Sequence, residues 1–260
     1  MDCKAIFFDL DGTLTDSATH TIPPSAKEAL HLAAKRGIKL FLATGRPPIW
    51  FRWSGVVEGL PFDGFLTSNG QYCYNDREVI RRKSIPQTDK EALIELLKDN
   101  PCPIMFFAED EIYLNMVNEW VDKCIALLQI PMPSLKNPAV CLEHDIFALV
   151  LCGDDKAIKR HPLTVMLGCK ATRWSIHTDI IPADGGKEIG IDAMLQYYGI
   201  PLEQTMAFGD AHNDIAMLRH VGLGVAMGNA NPIVKAAAGH ITGSARQDGI
   251  YNALTELKVI

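Results

Sequence analysis

The chain has 260 residues, 48% of them hydrophobic and 22% charged, an ordinary globular composition with room for one large domain or two modest ones. Its net charge of −6 argues against a nucleic-acid-binding face, which would be basic, yet leaves room for a local basic pocket around a small anion. No apolar run approaches the roughly 20 residues of a membrane span. The start, Met1-Asp2-Cys3-Lys4, is expected to leave no space for a signal peptide. The seven cysteines are scattered without C-x-x-C spacing, which is expected of buried thiols in a reducing cytoplasm.

Ala5 to Phe8 is a short apolar run that reads as a buried strand. It stops on two carboxylates, Asp9 and Asp11, followed by Gly12 and Thr13. A buried strand that ends in acids is costly unless something positive compensates them. In an open α/β sheet the carboxyl ends of strands are where ligands bind. Two oxygen donors so close suit a hard cation such as Mg2+. Taken alone, the pair is equally well the polar turn after an ordinary strand.

Ser25-Ala26-Lys27-Glu28 has the capping-box pattern and predicts a helix that ends at Gly37. A second strand, Ile38 to Ala43, runs into Thr44-Gly45-Arg46-Pro47. There a hydroxyl, a backbone amide and a guanidinium meet at a helix start, a natural place for an anion. A plain loop with one exposed arginine is the other reading. A third strand, Asp63 to Thr67, ends in Ser68-Asn69-Gly70, and Gln71–Tyr74 with Glu78–Arg82 forms a hairpin around Asn75-Asp76. Alternating strand and helix is the rhythm of a doubly wound parallel sheet.

From about Ser84 the texture changes. A helix capped by Thr88-Asp89-Lys90-Glu91 precedes strand-like runs at 104–108 and 112–114, and a helix follows over 118–128. After a proline-punctuated loop, further strands are expected at 146–152, 164–167 and 174–180. Hairpin-linked strands with a few helices predict a separate α+β domain over residues 84–182, inserted into a core made of 1–83 and 183–260. After Pro182 the alternation returns. Gly185-Gly186-Lys187 opens a helix, and Thr205–Phe208 is a strand that runs into Gly209-Asp210-Ala211-His212-Asn213-Asp214. Gly222–Ala226 is the next strand, followed by Met227-Gly228-Asn229-Ala230.

Four polar clusters thus stand at strand ends or helix starts: Asp9/Asp11, Thr44/Arg46, Lys187 and Asp210/Asn213/Asp214. In this order they resemble the haloacid-dehalogenase superfamily of phosphatases. The Thr-Gly-Arg at 44–46, Ser-Asn-Gly at 68–70, Gly-Val-Ala-Met-Gly-Asn-Ala at 224–230 and the place of the insert are similar to its Cof-like, subfamily IIB, sugar-phosphatase branch. The resemblance implies a Rossmann-like α/β core with an inserted α+β cap. It further implies Asp9 as a nucleophile that becomes an aspartyl-phosphate and Asp11 as general acid and base. Mg2+ would be held by Asp9, Asp11 (through its main-chain carbonyl) and Asp210, with Asp214 behind them. Thr44, Gly45, Arg46, Lys187 and Asn213 would bind substrate and its phosphate. The implied partner is a small phosphoester, with no nucleic acid or membrane, in a cytoplasmic monomer or small homo-oligomer. A phosphomutase using the same aspartyl-phosphate stays open as the alternative. A pocket that binds without turnover would lack one of Asp9, Asp11, Lys187 or Asp210, and a dinucleotide enzyme would carry G-x-G-x-x-G after the first strand.

Overall fold

The computed structural model describes residues 2–165, 168–173 and 176–260. The chain forms two compact units. One comprises Met1–Thr44, Ser54–Arg82 and Gly186–Ile260, and the other Gly45–Trp53 and Lys83–Gly185.

The first unit is built on eight strands: β1 (Ala5–Phe8), β2 (Lys39–Ala43), β3 (Gly64–Thr67), β4 (Tyr72–Tyr74), β5 (Val79–Arg82), and, from the end of the chain, β12 (Thr205–Gly209), β13 (Leu223–Ala226) and β14 (His240–Ile241). Their order across the sheet is β14-β13-β12-β1-β2-β3-β4-β5. All neighbours from β14 to β3 run parallel, and β4 and β5 close one edge as antiparallel strands. Every residue of β1 is buried, which its uniformly apolar sequence demands of a central parallel strand.

Alternation sends Ala5 and Phe7 to one face, where they share a core with Ile191, Met194 and Leu195 of the Lys187–Tyr198 helix and Met217 and Leu218 of the Ile215–His220 helix. Those two helices also pack on each other, as do the Pro24–Lys35 and Gly249–Glu256 helices. In this sheet β1 is the point where the order reverses. The chain leaves β1 for β2 on one side and returns at β12 on the other. Open α/β sheets bind ligands outside the strand carboxyl ends at such a switch point.

The second unit is an α+β body. Its six strands are β6 (Ile104–Phe107), β7 (Ile112–Leu114), β8 (Ser134–Leu135), β9 (Ala148–Cys152), β10 (Cys169–Arg173) and β11 (His177–Pro182), ordered β10-β11-β9-β6-β7-β8. Pairing is antiparallel except between β7 and β8. The unit also holds the helices Gln87–Asp99, Glu119–Leu128 and Asp155–Arg160 and most of the helix Pro48–Ser54.

Several local expectations are corrected. The two predicted capping boxes do not form. The helices begin behind Pro23 and Pro86, with no side-chain cap bond at either start. A proline sets an extended entry, and Pro24 at the first helical position has no amide to satisfy, so Ser25 is free to donate to Asp248 instead. The strand expected over 164–167 is a 3-10 turn, Pro162–Val165, with Met166 and Leu167 outside the described residues. β11 starts at His177 rather than 174, where Trp174 and Ser175 likewise lie outside. Its neighbour β10 carries no apolar run, and its strand conformation comes from pairing with β11.

Candidate active site

Parallel register brings the polar ends of the central strands level. Phe8 is opposite both Leu42 of β2 and Phe208 of β12, so Asp9, Ala43 and Gly209 follow side by side. Asp9 is 5% exposed, and its amide donates to the Phe208 carbonyl at 2.9 Å.

The Lys187 ammonium lies between two carboxylates. Its Nζ donates to Asp9 Oδ1 and to Asp214 Oδ1, at 2.6 Å in each case, and its side chain is fully buried. Asp214 is equally sealed, and its Oδ2 accepts from the amides of Asp210 and Ala211 at 2.9 Å. Asp214 thus braces both the lysine and the loop that carries Asp210. Asp210 accepts from the Thr13 hydroxyl at 3.0 Å on Oδ1 and from Asn229 Nδ2 at 2.8 Å on Oδ2. The same Asn229 amide donates to the Gly12 carbonyl at 2.9 Å, which ties the β1 turn to the segment after β13.

Gly12 has φ +87°, and a Cβ there would lie 2.4 Å from Asp210 Oδ2, so both the dihedral and the space require glycine. Asp11 lies half-buried on this turn, which is closed by Leu14 and Thr15 amides bonding to the Leu10 carbonyl.

Thr44 is buried beyond the end of β2. Its amide donates to the Leu66 carbonyl at 2.8 Å and its carbonyl accepts from the Asn69 amide at 2.9 Å. Asn213 donates through Nδ2 to Asn69 Oδ1 at 2.9 Å. The predicted residues Asp9, Lys187, Asp210, Asn213, Asp214 and Thr44 therefore meet in one unit, around the ends of β1, β2 and β12. Gly45 and Arg46 belong to the second unit. There the Arg46 guanidinium is buried, donates to the Leu128 carbonyl at the end of the Glu119–Leu128 helix, and lies 4.5 Å from the Trp50 ring centre. It is not the exposed surface arginine of the plain-loop reading.

Thr13, Asn69 and Asn229 are further side chains of the site, beyond the predicted set. Each sits within a motif that was visible: Thr13 beside Asp11, Asn69 in Ser-Asn-Gly and Asn229 after β13.

Burial and the charges around it set the electrostatics. Burial first, and then the Asp214 charge, push the Asp9 carboxyl well above the usual range, while Lys187 pulls the other way. Asp210 is pushed up to about 7 by burial and by Asp214. Burial opposes the Lys187 charge, but Asp214 and Asp9 together more than offset it and hold the ammonium protonated. One cation thus faces four nearby acids. Asp9, Asp210 and Asp214 place carboxylate oxygens within 4.8 Å of one another. Such an all-oxygen donor set fits a hard divalent cation.

The model for haloacid dehalogenase-like hydrolases matches residues 6–254. The chain belongs to that family. A Bacillus subtilis (strain 168) protein, "Putative phosphatase YkrA", is 31% identical over 262 residues, covering 100% of both chains. The solved structure of BT4131, described as a HAD subclass IIB sugar phosphatase, superposes with a TM-score of 0.87 at 34% identity, covering 99% of this chain and 100% of that one. BT1666 from Bacteroides thetaiotaomicron, a phosphatase of the same superfamily, gives a TM-score of 0.90 at 30% identity over 99% and 96%. The core of a HAD-type phosphatase, of the Cof-like kind, is therefore what carries this site.

Proposed function

We propose that the protein is a Mg2+-dependent phosphatase of small phosphorylated metabolites, sugar phosphates foremost, that works through an aspartyl-phosphate on Asp9. The observation that carries this reading is the contact of the buried Lys187 ammonium with Asp9 Oδ1 at 2.6 Å, at the switch point of the sheet. The lysine charge works against the rise that burial and Asp214 impose on the Asp9 carboxyl, so it favours the ionised form that must attack, and it offsets the charge that a phosphoryl group brings.

In the proposed chemistry an Asp9 oxygen attacks phosphorus and the bond to the ester oxygen breaks. The Asp11 carboxyl gives its proton to that leaving oxygen. Asp11, now a carboxylate, takes a proton from water as the water oxygen attacks phosphorus. The bond from phosphorus to Asp9 then breaks, releasing inorganic phosphate and restoring both acids to their starting states. Thr44, the Gly45 amide and Asn213 are assigned to the phosphoryl oxygens, and Arg46 to the substrate beyond them. Asp9, Asp210 and the Asp11 main-chain carbonyl would hold Mg2+, which when bound supplies charge neutralisation for the transferring phosphoryl group. Asp214 is assigned the bracing role that its hydrogen bonds describe. Specificity is assigned to the inserted segment 84–182. Support for sugar phosphates comes from the description of BT4131 as a sugar phosphatase. Support for a cytoplasmic setting comes from seven free thiols, and no helix among the described residues is long and apolar enough to cross a membrane.

The test is phosphate release from a panel of hexose and pentose phosphates, nucleotides and other small phosphoesters, with Mg2+ and with chelator. Metal-dependent release from a narrow group of sugar phosphates is expected. Interconversion of sugar-phosphate isomers without release of phosphate would replace the reading with that of a phosphomutase.

A further inference from the structure

The turn at Ser68-Asn69-Gly70 takes no part in the chemistry above, yet it touches three of the four polar clusters. Its three residues all have positive φ, at 49°, 55° and 82°. Glycine takes such angles freely, but for serine they are costly, and asparagine tolerates them only as a single residue. Strain of this kind persists only where the surroundings over-determine it, and it concentrates at functional sites.

The surroundings of this turn are specific. The Asn69 amide donates to the Thr44 carbonyl at 2.9 Å, which fixes the turn to the end of β2. The Asn69 side chain accepts from Asn213 Nδ2 at 2.9 Å, which fixes it to the loop after β12. Gly70 lies against Gly186, the residue before Lys187: a Cβ on Gly70 would fall 2.4 Å from the Gly186 carbonyl oxygen and 3.2 Å from Lys187 Cα. A Cβ on Gly190, one helical turn on, would in turn meet Gly70 Cα at 2.9 Å. The backbones of the turn and of the helix that carries Lys187 are therefore in direct contact.

The Asn69 bridge also sets how the Asn213 amide is presented. One Nδ2 hydrogen goes to Asn69, so the amide plane is held, and the second hydrogen remains to donate. Asn213 Oδ1 is buried with no hydrogen-bond partner among the described residues. A buried amide oxygen left without a donor is costly unless something bound supplies one. The atom is closed to solvent, so the Asn69 bridge holds the amide in this orientation against that cost.

We propose that Asn69 is a positioning residue of the phosphatase site. It holds the Asn213 amide so that Nδ2 donates to a phosphoryl oxygen. This rests on the phosphatase reading above. Asn69 acts through Asn213 and makes no contact with the reacting atoms.

The test is a double-mutant cycle on the full-length enzyme with its best sugar phosphate, using Asn69→Gly, Asn213→Ala and the double variant. Glycine accepts the positive φ of residue 69, so Asn69→Gly removes the bridge without adding strain at that position. Loss of such an orienting partner is expected to lower kcat/KM roughly 10- to 100-fold, with a raised KM and a thermal midpoint close to wild type. A partly unfolded variant would lower the apparent kcat and leave KM unchanged, so the KM rise separates the two. Asn213→Ala is expected to lose about as much, and the double variant no more than either single one, because both remove one device. Wild-type kinetics in Asn69→Gly, or losses that multiply in the double variant, would overturn the positioning role alone. A wild-type enzyme inert toward every phosphoester would overturn the phosphatase reading and this proposal with it.

Discussion

Lys187 and Asp214 form an ion pair at 2.6 Å in which neither side chain has any solvent exposure. Two charges can be buried so completely only when their remaining hydrogen-bonding capacity is met. Here Asp9 takes the second Lys187 bond, and the amides of Asp210 and Ala211 fill Asp214 Oδ2. The pair is thus the structural centre of the site as well as its main positive charge.

Removing Asp214 leaves Lys187 with one partner and two amides with none. Asp214→Ala is expected to destabilise the fold by about 3–5 kcal/mol, the usual result of breaking a buried pair from one side. Urea unfolding followed by circular dichroism measures this. A loss below about 1 kcal/mol would mean that water or a rearranged side chain readily replaces the carboxylate.

Asp9→Asn keeps the shape and removes the attacking charge. Turnover of the preferred phosphoester should fall to background while the far-ultraviolet spectrum stays that of the wild type. Substantial phosphate release by a preparation free of other phosphatases would dismiss Asp9 as the nucleophile.

Gly12→Ala brings a methyl to within 2.4 Å of Asp210 Oδ2 at a φ of +87°. The backbone strain alone is of order 1–3 kcal/mol, and the clash displaces the Asp210 carboxylate. A lower thermal midpoint together with weakened Mg2+ activation is the expected pair of effects. Loss of stability with metal activation intact would separate Gly12 from the placement of Asp210.

Chelator should silence hydrolysis, and Mg2+ should restore it. Because a ligand that binds only the folded state adds RT ln(1 + [L]/Kd), Mg2+ at about 100 times its Kd should add about 2.7 kcal/mol to the wild type. Asp210→Ala should lose most of that thermal shift. Differential scanning calorimetry reads this without reference to activity, and an equal shift in the variant would remove Asp210 from the metal site.

Asp16, on the loop that follows the Asp9 turn, pairs with Arg246 at 3.0 Å, and this hydrogen bond holds its carboxyl down at about 2. Its folded value lies below its unfolded one. The stability it contributes is therefore complete above the ordinary aspartate value near 3.9 and fades as pH falls through about 2. Arg246→Ala should return the Asp16 titration, followed by carbon-detected NMR, to the ordinary aspartate range. An unchanged titration would assign the shift to the loop amides of Ala18 and Thr19 instead.

The order of the polar clusters at the central strand ends can be read from the chain alone. Apolar runs that end abruptly in polar residues mark strand ends, because the uniformly apolar packing of a central strand stops where the strand stops, even where the polar residues beyond it stay buried. Asp9, Thr44 and Asp210 were legible for that reason, and the alternation of strand and helix made the core's α/β character legible too. Helix starts were less so. The capping-box spacing at Ser25 and Thr88 is a local signal, and a preceding proline with tertiary packing outweighed it. β10 left no mark because a strand held by its partner needs no apolar run of its own. It is the folded arrangement that sets Lys187, 178 residues from Asp9, between that residue and Asp214. It alone placed Asn229 on Asp210 and Asn69 on Asn213. These contacts join segments distant in the chain, and their partners are chosen by sheet order and backbone approach, which no local spacing encodes.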